Sequence, residues 1–270
     1  MTPPDPKAAV PVRRLAWREG DPANPGERLL AAETPVALVH DASTTAVMMA
    51  TPADLEDFGL GFSLTEGIIA RPDEIRAIET VETELGVEVR MWLAGEASGA
   101  LATRRRRLAG PTGCGLCGID SLAEAARAPP EVAQGLTLTP TQIQAALAAL
   151  RERQGLNAAT RAVHAAGFWS PRTGLAAARE DVGRHNALDK LAGALARTPG
   201  AGPGAVVLTS RVSVEMVQKS AAIGAQAIIA VSAPTALAVR TAEVAGITLI
   251  AIARDDGFEV FTHSHRLTDG

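Results

Sequence analysis

Residues 205–254 read AVVLTSRVSVEMVQKSAAIGAQAIIAVSAPTALAVRTAEVAGITLIAIAR. Three short runs, AVVLT, AIIAVSA and ITLIAIA, carry no charge at all. Between them lie SVEMVQKSAAIG and PTALAVRTAEVAG, where polar residues return at helical spacing, and Pro234 suits the first turn of the second helix. Strands apolar on both faces and alternating with helices predict a covered, mostly parallel sheet. The fold class read from this stretch is α/β.

The pattern extends both ways. Downstream, FEVFTHSHRL (258–267) reads as a final strand with a polar end. Upstream, VHAAGFWS and GLAAARED read as a hairpin, NALDKLAGALA as a helix, and TPTQIQAALAALRERQG as a helix capped by Thr139 and opened by Pro140, with Ile143, Leu147 and Leu150 on one face. GIDSLAEAARA predicts another helix, capped by Asp120 or Ser121. Residues 27–112 read as a smaller N-terminal α+β subdomain. In it RLLAAETPVALVHDAS and TTAVMMATP form strands about a turn at Asp41–Ser43, VEVRMWLAG forms another, and DLEDFGLGFSLTEGII forms a helix weakened by Gly59 and Gly61. Residues 113–270 form the larger domain. Residues 1–26, rich in proline, glycine and charge, read as a disordered leader.

Composition narrows the function classes. The 270 residues are 47 % hydrophobic and 21 % charged, with net charge −4. That is a globular profile, without the basic surface or aromatic platforms that nucleic acid requires. No run is long enough for a membrane span, and no secretory signal is evident, so a cytoplasmic location is expected.

Both cysteines, Cys114 and Cys117, lie in GPTGCGLCGIDSLAEA, spaced C-x-x-C and bedded in glycine. In a reducing compartment such a pair is chemical or metal-binding rather than a structural staple. Three chemistries compete: half a metal site, a dithiol redox pair, and a nucleophilic thiol that carries a group. Zinc normally takes four ligands, and a redox pair usually follows the first strand of a βαβ unit. A zinc deaminase needs an H-x-E, yet only His40 precedes Cys114. A helix start after the loop and Arg104–Arg107 before it would both favour thiolate, although a run of four arginines is more often a solvated surface tract.

Three strand-to-helix turns concentrate polar groups. REDVGRHNALDK places Glu180, Asp181, Arg184, His185, Asn186 and Asp189 around Gly183. The plain alternative makes Asn186 a cap and leaves Arg184 and Asp189 solvated. LTSRVS ends a strand in Ser210, Arg211 and Ser213, with Glu215 and Lys219 read as ordinary helix charges. VSAPT brings Ser232 and Thr235 to the next helix start. Hydroxyls, arginine and helix N-termini at successive strand ends suit a phosphorylated ligand. Neither a Walker A sequence nor G-x-G-x-x-G is present.

In order, CGLCG, EDVGRHNALDKL, LTSRVSVEMVQKSAAIG, VSAPTALAVRTAEVAGITLIAIAR and FEVFTH resemble the formate dehydrogenase accessory sulfurtransferases, the FdhD family, as does DFGLGFSLTEGII. The resemblance runs from about residue 30 to 266. It implies a cytidine-deaminase-like α/β domain without that enzyme's zinc ligands, and no intrinsic metal. It also implies a sulfurtransferase: a sulfur carrier that takes sulfur from a cysteine desulfurase as a persulfide on Cys114, with Cys117 supporting. The sulfur passes to the molybdenum (or tungsten) bis-pterin guanine dinucleotide cofactor before insertion into formate dehydrogenase. The family's cofactor contacts fall on Phe258, Glu259, Val260, Phe261, Thr262 and His263. Arg184, His185, Asn186, Ser210, Arg211 and Ser232 are further candidates, and a homodimer is implied. One departure is Gly113, where the family commonly carries a hydroxyl. A chaperone that binds the cofactor, its cysteines serving metal or redox duty, is the alternative.

Overall fold

The computed structural model describes residues 5–99, 101, 128–198 and 200–269. Cys114, Cys117, Arg104–Arg107 and the helix expected over GIDSLAEAARA lie outside the described residues, as does the expected boundary at 112/113.

Strands β1 (Ala9–Arg18) and β2 (Asp21–Ala31) pair antiparallel as a two-stranded ribbon of their own. The expected disordered leader is therefore corrected: order begins well before residue 27. Val10, Val12 and Trp17 have high strand propensity, and pairing with β2 along nearly its whole length holds β1 extended despite Pro11. A four-stranded sheet follows from β3 (Thr34–His40), β4 (Ser43–Ala50), β5 (Ile75–Thr83) and β6 (Gly86–Leu93), in the order β4-β3-β6-β5. Asp41 and Ala42 turn β3 into β4 with φ of 48° and 59°, the left-handed pair that a two-residue hairpin loop requires. One sheet face packs Val36, Leu38, Val89 and Met91 against helix α1 (Leu55–Thr65). Asp54 is the N-cap of this helix, with a left-handed φ of 53°. Strand β5 had no clear sequence signature, because its apolar residues are spaced three apart.

The larger unit begins with α2 (Pro140–Glu152) and α3 (Gly155–Thr160). Thr139 and Gln142 close a reciprocal capping box at the start of α2, each side chain accepting from the other's N–H. Next come β7 (His164–Ser170), β8 (Gly174–Asp181), α4 (Arg184–Arg197), β9 (Ala205–Leu208), α5 (Val214–Ala222), β10 (Ala227–Ala230), α6 (Ala236–Ala245), β11 (Thr248–Arg254) and β12 (Gly257–Val260). The sheet order is β12-β11-β10-β9-β7-β8. Only β9, β10 and β11 are mutually parallel; β7, β8 and β12 join antiparallel, so the sheet is mixed rather than mostly parallel.

Side-chain alternation divides the central strands between two cores. Val206, Leu208, Ile228, Leu249 and Ala251 face α4, α5 and α6. Ala205, Val207, Ala227, Ile229 and Ile250 face α2. Every residue of β9 and β10, and of β11 from Thr248 to Ala251, is buried on one side or the other, which is why the runs carry no polar alternation.

The two units meet where α1 crosses α4. A Cβ at Gly61 would lie 1.7 Å from the Asp189 carbonyl oxygen, and one at Gly193 would lie 2.0 Å from that of Asp57. The two glycines allow backbone-to-backbone contact, so Gly61 serves the crossing it seemed to weaken. Ion pairs flank it: Arg179 and Arg197 both reach Asp57, and Arg197 also reaches Glu56.

Candidate functional site

The REDVGRHNALDK segment divides into residues that hold the units together and residues that remain available. Asp181 is fully buried at the end of β8. Its carboxylate accepts from the Thr51 N–H (3.0 Å), the Gly183 N–H (2.7 Å), Asn186 Nδ2 (2.9 Å) and the Lys190 ammonium (2.6 Å). Lys190 also donates to the Thr51 carbonyl, and Asn186 to that of Met49. Burial pushes Lys190 below the ordinary lysine value, with Asp181 opposing it. Asn186 is thus a tie between the two units, not an available ligand group. Glu180 accepts from the Leu156 and Asn157 N–H groups at the start of α3 and, being half-buried, is shifted up.

A second tie was missed in the sequence. Lys219 on α5 donates to Asp189 (2.9 Å), Glu66 (2.7 Å) and Thr65 (3.0 Å), and Thr65 donates to Asp189 (2.6 Å). Burial alone would lower Lys219, but Asp189 and Glu66 hold it above the ordinary value. Glu215 and Lys219 look like an exposed i,i+4 pair in sequence. No pattern reveals that Lys219 points inward; the TEG of the α1 end is its counterpart.

What remains forms a polar edge where the central strands end. Arg184 and His185 open α4. The imidazole Nε2 of His185 stands 3.9 Å from Glu215, in the first turn of α5. Arg184 Nε and His185 Nε2 are shielded from solvent and, among the described residues, without a hydrogen-bond partner. Burial pushes His185 down to about 4, Arg184 adding to the effect, so the ring is neutral at physiological pH; burial and Arg184 also lower His164.

The loop after β9, with Ser210 and Arg211, and the loop after β10, with Ser232, are joined by Val212 N–H to Ala233 O (3.2 Å) and Thr235 N–H to Val212 O (2.9 Å). Ser210 is buried and Arg211 exposed without an ion pair among the described residues. Ser232 O accepts from the Ile252 N–H. Ile252 sits at a bulge between β11 and β12 with φ of 52°, a conformation a β-branched residue rarely adopts.

Arg184, His185, Ser210, Arg211 and Ser232 therefore share one edge of the sheet, but FEVFTH does not lie wholly there. It runs antiparallel along β11, so Phe258 and Glu259 stand near the Ser232 end. Thr262 lies at the opposite end, about 13 Å away at ~3.3 Å per residue. Thr262 is buried, accepting from the Leu249 N–H and donating to the Ile247 carbonyl. Phe258 and Val260 pack into the α2-side core and Phe261 into the other, while Glu259 is exposed. His263 turns with φ of 49° toward the Glu243 carbonyl, 3.2 Å from its Nε2. Among the described residues no cluster of three metal-ligating side chains occurs, and no helix is long and apolar enough to cross a membrane.

Comparison with known proteins places this arrangement. The model of the FdhD/NarQ family matches residues 31–268. The chain belongs to the FdhD/NarQ family. A relative from Agrobacterium fabrum, named sulfur carrier protein FdhD, is 54 % identical over 95 % of each chain. One of the same name from Cupriavidus necator is 51 % identical over 93 % of this chain and 87 % of its own. The crystal structure of a candidate formate dehydrogenase accessory protein from Desulfotalea psychrophila superposes with a TM-score of 0.73. It is 26 % identical and covers 97 % of this chain and all of its own.

The half-buried, neutral His185 of this FdhD/NarQ member makes a testable contribution to stability. Its folded-state value, about 4, lies below the ordinary 6.5. The unfolded chain then binds the extra proton, and stability falls as pH drops from about 6.5 toward 4. Because the side chain keeps 30 % of its exposure, the expected loss is only about 1–2 kcal/mol after solvent screening. His164 acts in the same direction. Urea unfolding across this range should show a shallower acid slope for His185→Gln than for the wild type.

Proposed function

We propose that this chain is a sulfur carrier serving formate dehydrogenase, holding sulfur as a persulfide on Cys114 after transfer from a cysteine desulfurase. The observation that carries the reading is the 54 % identity, over nearly the whole chain, to a protein named as such a carrier. The C-x-x-C loop gives the reading a chemical basis. A thiolate attacks the outer sulfur of the donor's persulfide, the donor cysteine leaves as thiolate, and the new Cys114 persulfide retains the sulfane sulfur. Cys117 supports this step.

The acceptor is the molybdenum (or tungsten) bis-pterin guanine dinucleotide cofactor, a substrate of the carrier rather than a resident group. Arg184, Arg211 and Ser232 supply cations and a donor of the kind phosphates take, while Ser210 is buried and donates to the Arg211 carbonyl; the shielded nitrogens of Arg184 and His185 add further capacity. Within FEVFTH, Phe258 and Glu259 are the members placed to join them; Thr262 and Phe261 have structural duties. The larger unit is taken as a cytidine-deaminase-like domain, which its hairpin followed by alternating helices and parallel strands supports. The reading also includes a cytoplasmic location and a homodimer.

The test is direct. Reduced protein is incubated with a cysteine desulfurase and cysteine, and its peptides are examined by mass spectrometry. One added sulfur on Cys114 is expected. It should be lost in Cys114→Ala and retained, at least in part, in Cys117→Ala. No added sulfur on the wild type would overturn the carrier reading and leave the cofactor-binding chaperone.

A further inference from the structure

The β1–β2 ribbon is the feature that the site does not use. A two-stranded hairpin is at best marginal alone in water, yet this one extends ten and eleven residues with nearly every position exposed. In the described residues its neighbour is α3, alongside β2. It carries Val10, Val12, Leu15, Trp17, Leu29 and Leu30 in the open, with Leu15 at 68 % and Trp17 at 73 % exposure. Pairing register puts Val10, Val12 and Leu30 on one face with Arg14, Arg18 and Arg28, and with one carboxylate, Asp21 opposite Arg18. The face is apolar and doubly positive.

The chain contains a surface of complementary character. Among the described residues, the β3–β6 sheet is covered by α1 on one side only. Register places Met49, Val47, Trp92, Glu79, Glu88 and Arg90 together on the other. Val47 is 61 % exposed, Met49 48 % and Trp92 40 %. Arg90 stands 2.8 Å from Glu88 and 3.7 Å from Glu79, so two carboxylates share one guanidinium and the face is left net negative. Trp92 offers an exposed indole face to an incoming guanidinium.

We propose that the β1–β2 ribbon is an arm that seats on the open face of the β3–β6 sheet of a second copy of this chain. Val10, Val12 and Leu30 meet Val47, Met49 and Trp92, while Arg14 and Arg28 meet Glu79 and Glu88. Under two-fold symmetry each copy gives one arm and receives one. The repeat brings the buried surface toward the ~800 Å² per partner typical of specific complexes, since one arm is about 33 Å long. The inference rests on the reading that the chain pairs with itself, and it says where.

Charge exchange tests it in the full-length protein. Arg14→Glu with Arg28→Glu reverses the arm, and Glu79→Lys with Glu88→Lys reverses the face. Sedimentation at tens of micromolar should give a dimer for the wild type and weaken association ~100-fold in each reversed variant. An equimolar mixture of the two variants should regain the dimer mass, because both contacts of the mixed pair are then complementary. Circular dichroism confirms that each variant is folded. A monomeric wild type, a dimer that survives either reversal, or a mixture of monomers would each overturn the arm. Sulfur loading on Cys114 is read separately, so failure of the arm and failure of the carrier reading are distinguishable.

Discussion

Replacing Gly61 by alanine is expected to abolish the folded state, at a cost of about 4 kcal/mol or more. The added methyl would stand 1.7 Å from the Asp189 carbonyl oxygen, with the Gly193 nitrogen at 2.6 Å. Both obstacles are backbone, so no rotamer change relieves them. Either α1 and α4 separate, losing the crossing and its flanking ion pairs, or both helices bend. Gly193→Ala should be comparably damaging, with its Cβ 2.0 Å from the Asp57 carbonyl oxygen. Gly95→Ala is the control: nothing lies within 4 Å and its backbone is unstrained, so it should change stability by under about 0.5 kcal/mol. Urea denaturation of the three variants decides the matter. A Gly61→Ala protein with near wild-type stability would mean that the helices do not touch as described.

Lys190→Met should cost about 3–5 kcal/mol, since it leaves the Asp181 carboxylate wholly buried with no counter-charge. Its three N–H donors remain, but dipoles do not replace an ammonium at 2.6 Å. The Thr51 carbonyl also loses its donor, and the Phe58 ring loses the ammonium 5.9 Å from its centroid. Removing both charges, Asp181→Asn with Lys190→Met, should recover part of the loss, because the penalty belongs to the stranded charge more than to the missing pair. A double variant that is no better than the single one would show instead that hydrogen bonding to the carboxylate dominates.

These two contacts also mark where reading the sequence stopped. The 205–254 stretch declared its strands because burial on both faces leaves short apolar runs, rich in valine and isoleucine and alternating with helical spacing. Thr139 and Pro140 declared a helix start for an equally local reason. The β1–β2 ribbon was hidden because proline, glycine and charge are what an exposed hairpin and a disordered leader have in common. Lys219 and Asn186 were misjudged for a different reason: their partners, Glu66, Thr65 and Met49, lie more than a hundred residues away. His185 and Arg184 were legible as site candidates, since a turn at a strand end is local information. That Thr262 spends its hydroxyl on β11 follows only from the register of β12.

The distance between α1 and its partner bears on how the chain is made. Thr65 and Asp189 are 124 residues apart, so at about 5–20 residues per second a ribosome needs roughly 6–25 s to supply α4 after α1 has emerged. The smaller sheet must wait that long with its docking side bare. That side presents Asp57, Gly61, Leu64 and Thr65, with the Phe58 ring at its margin, 5.9 Å from the Lys190 ammonium. A joint built largely from glycine, backbone and charge, with few apolar side chains, offers less for another nascent chain to adhere to than a leucine-lined joint of the same area would.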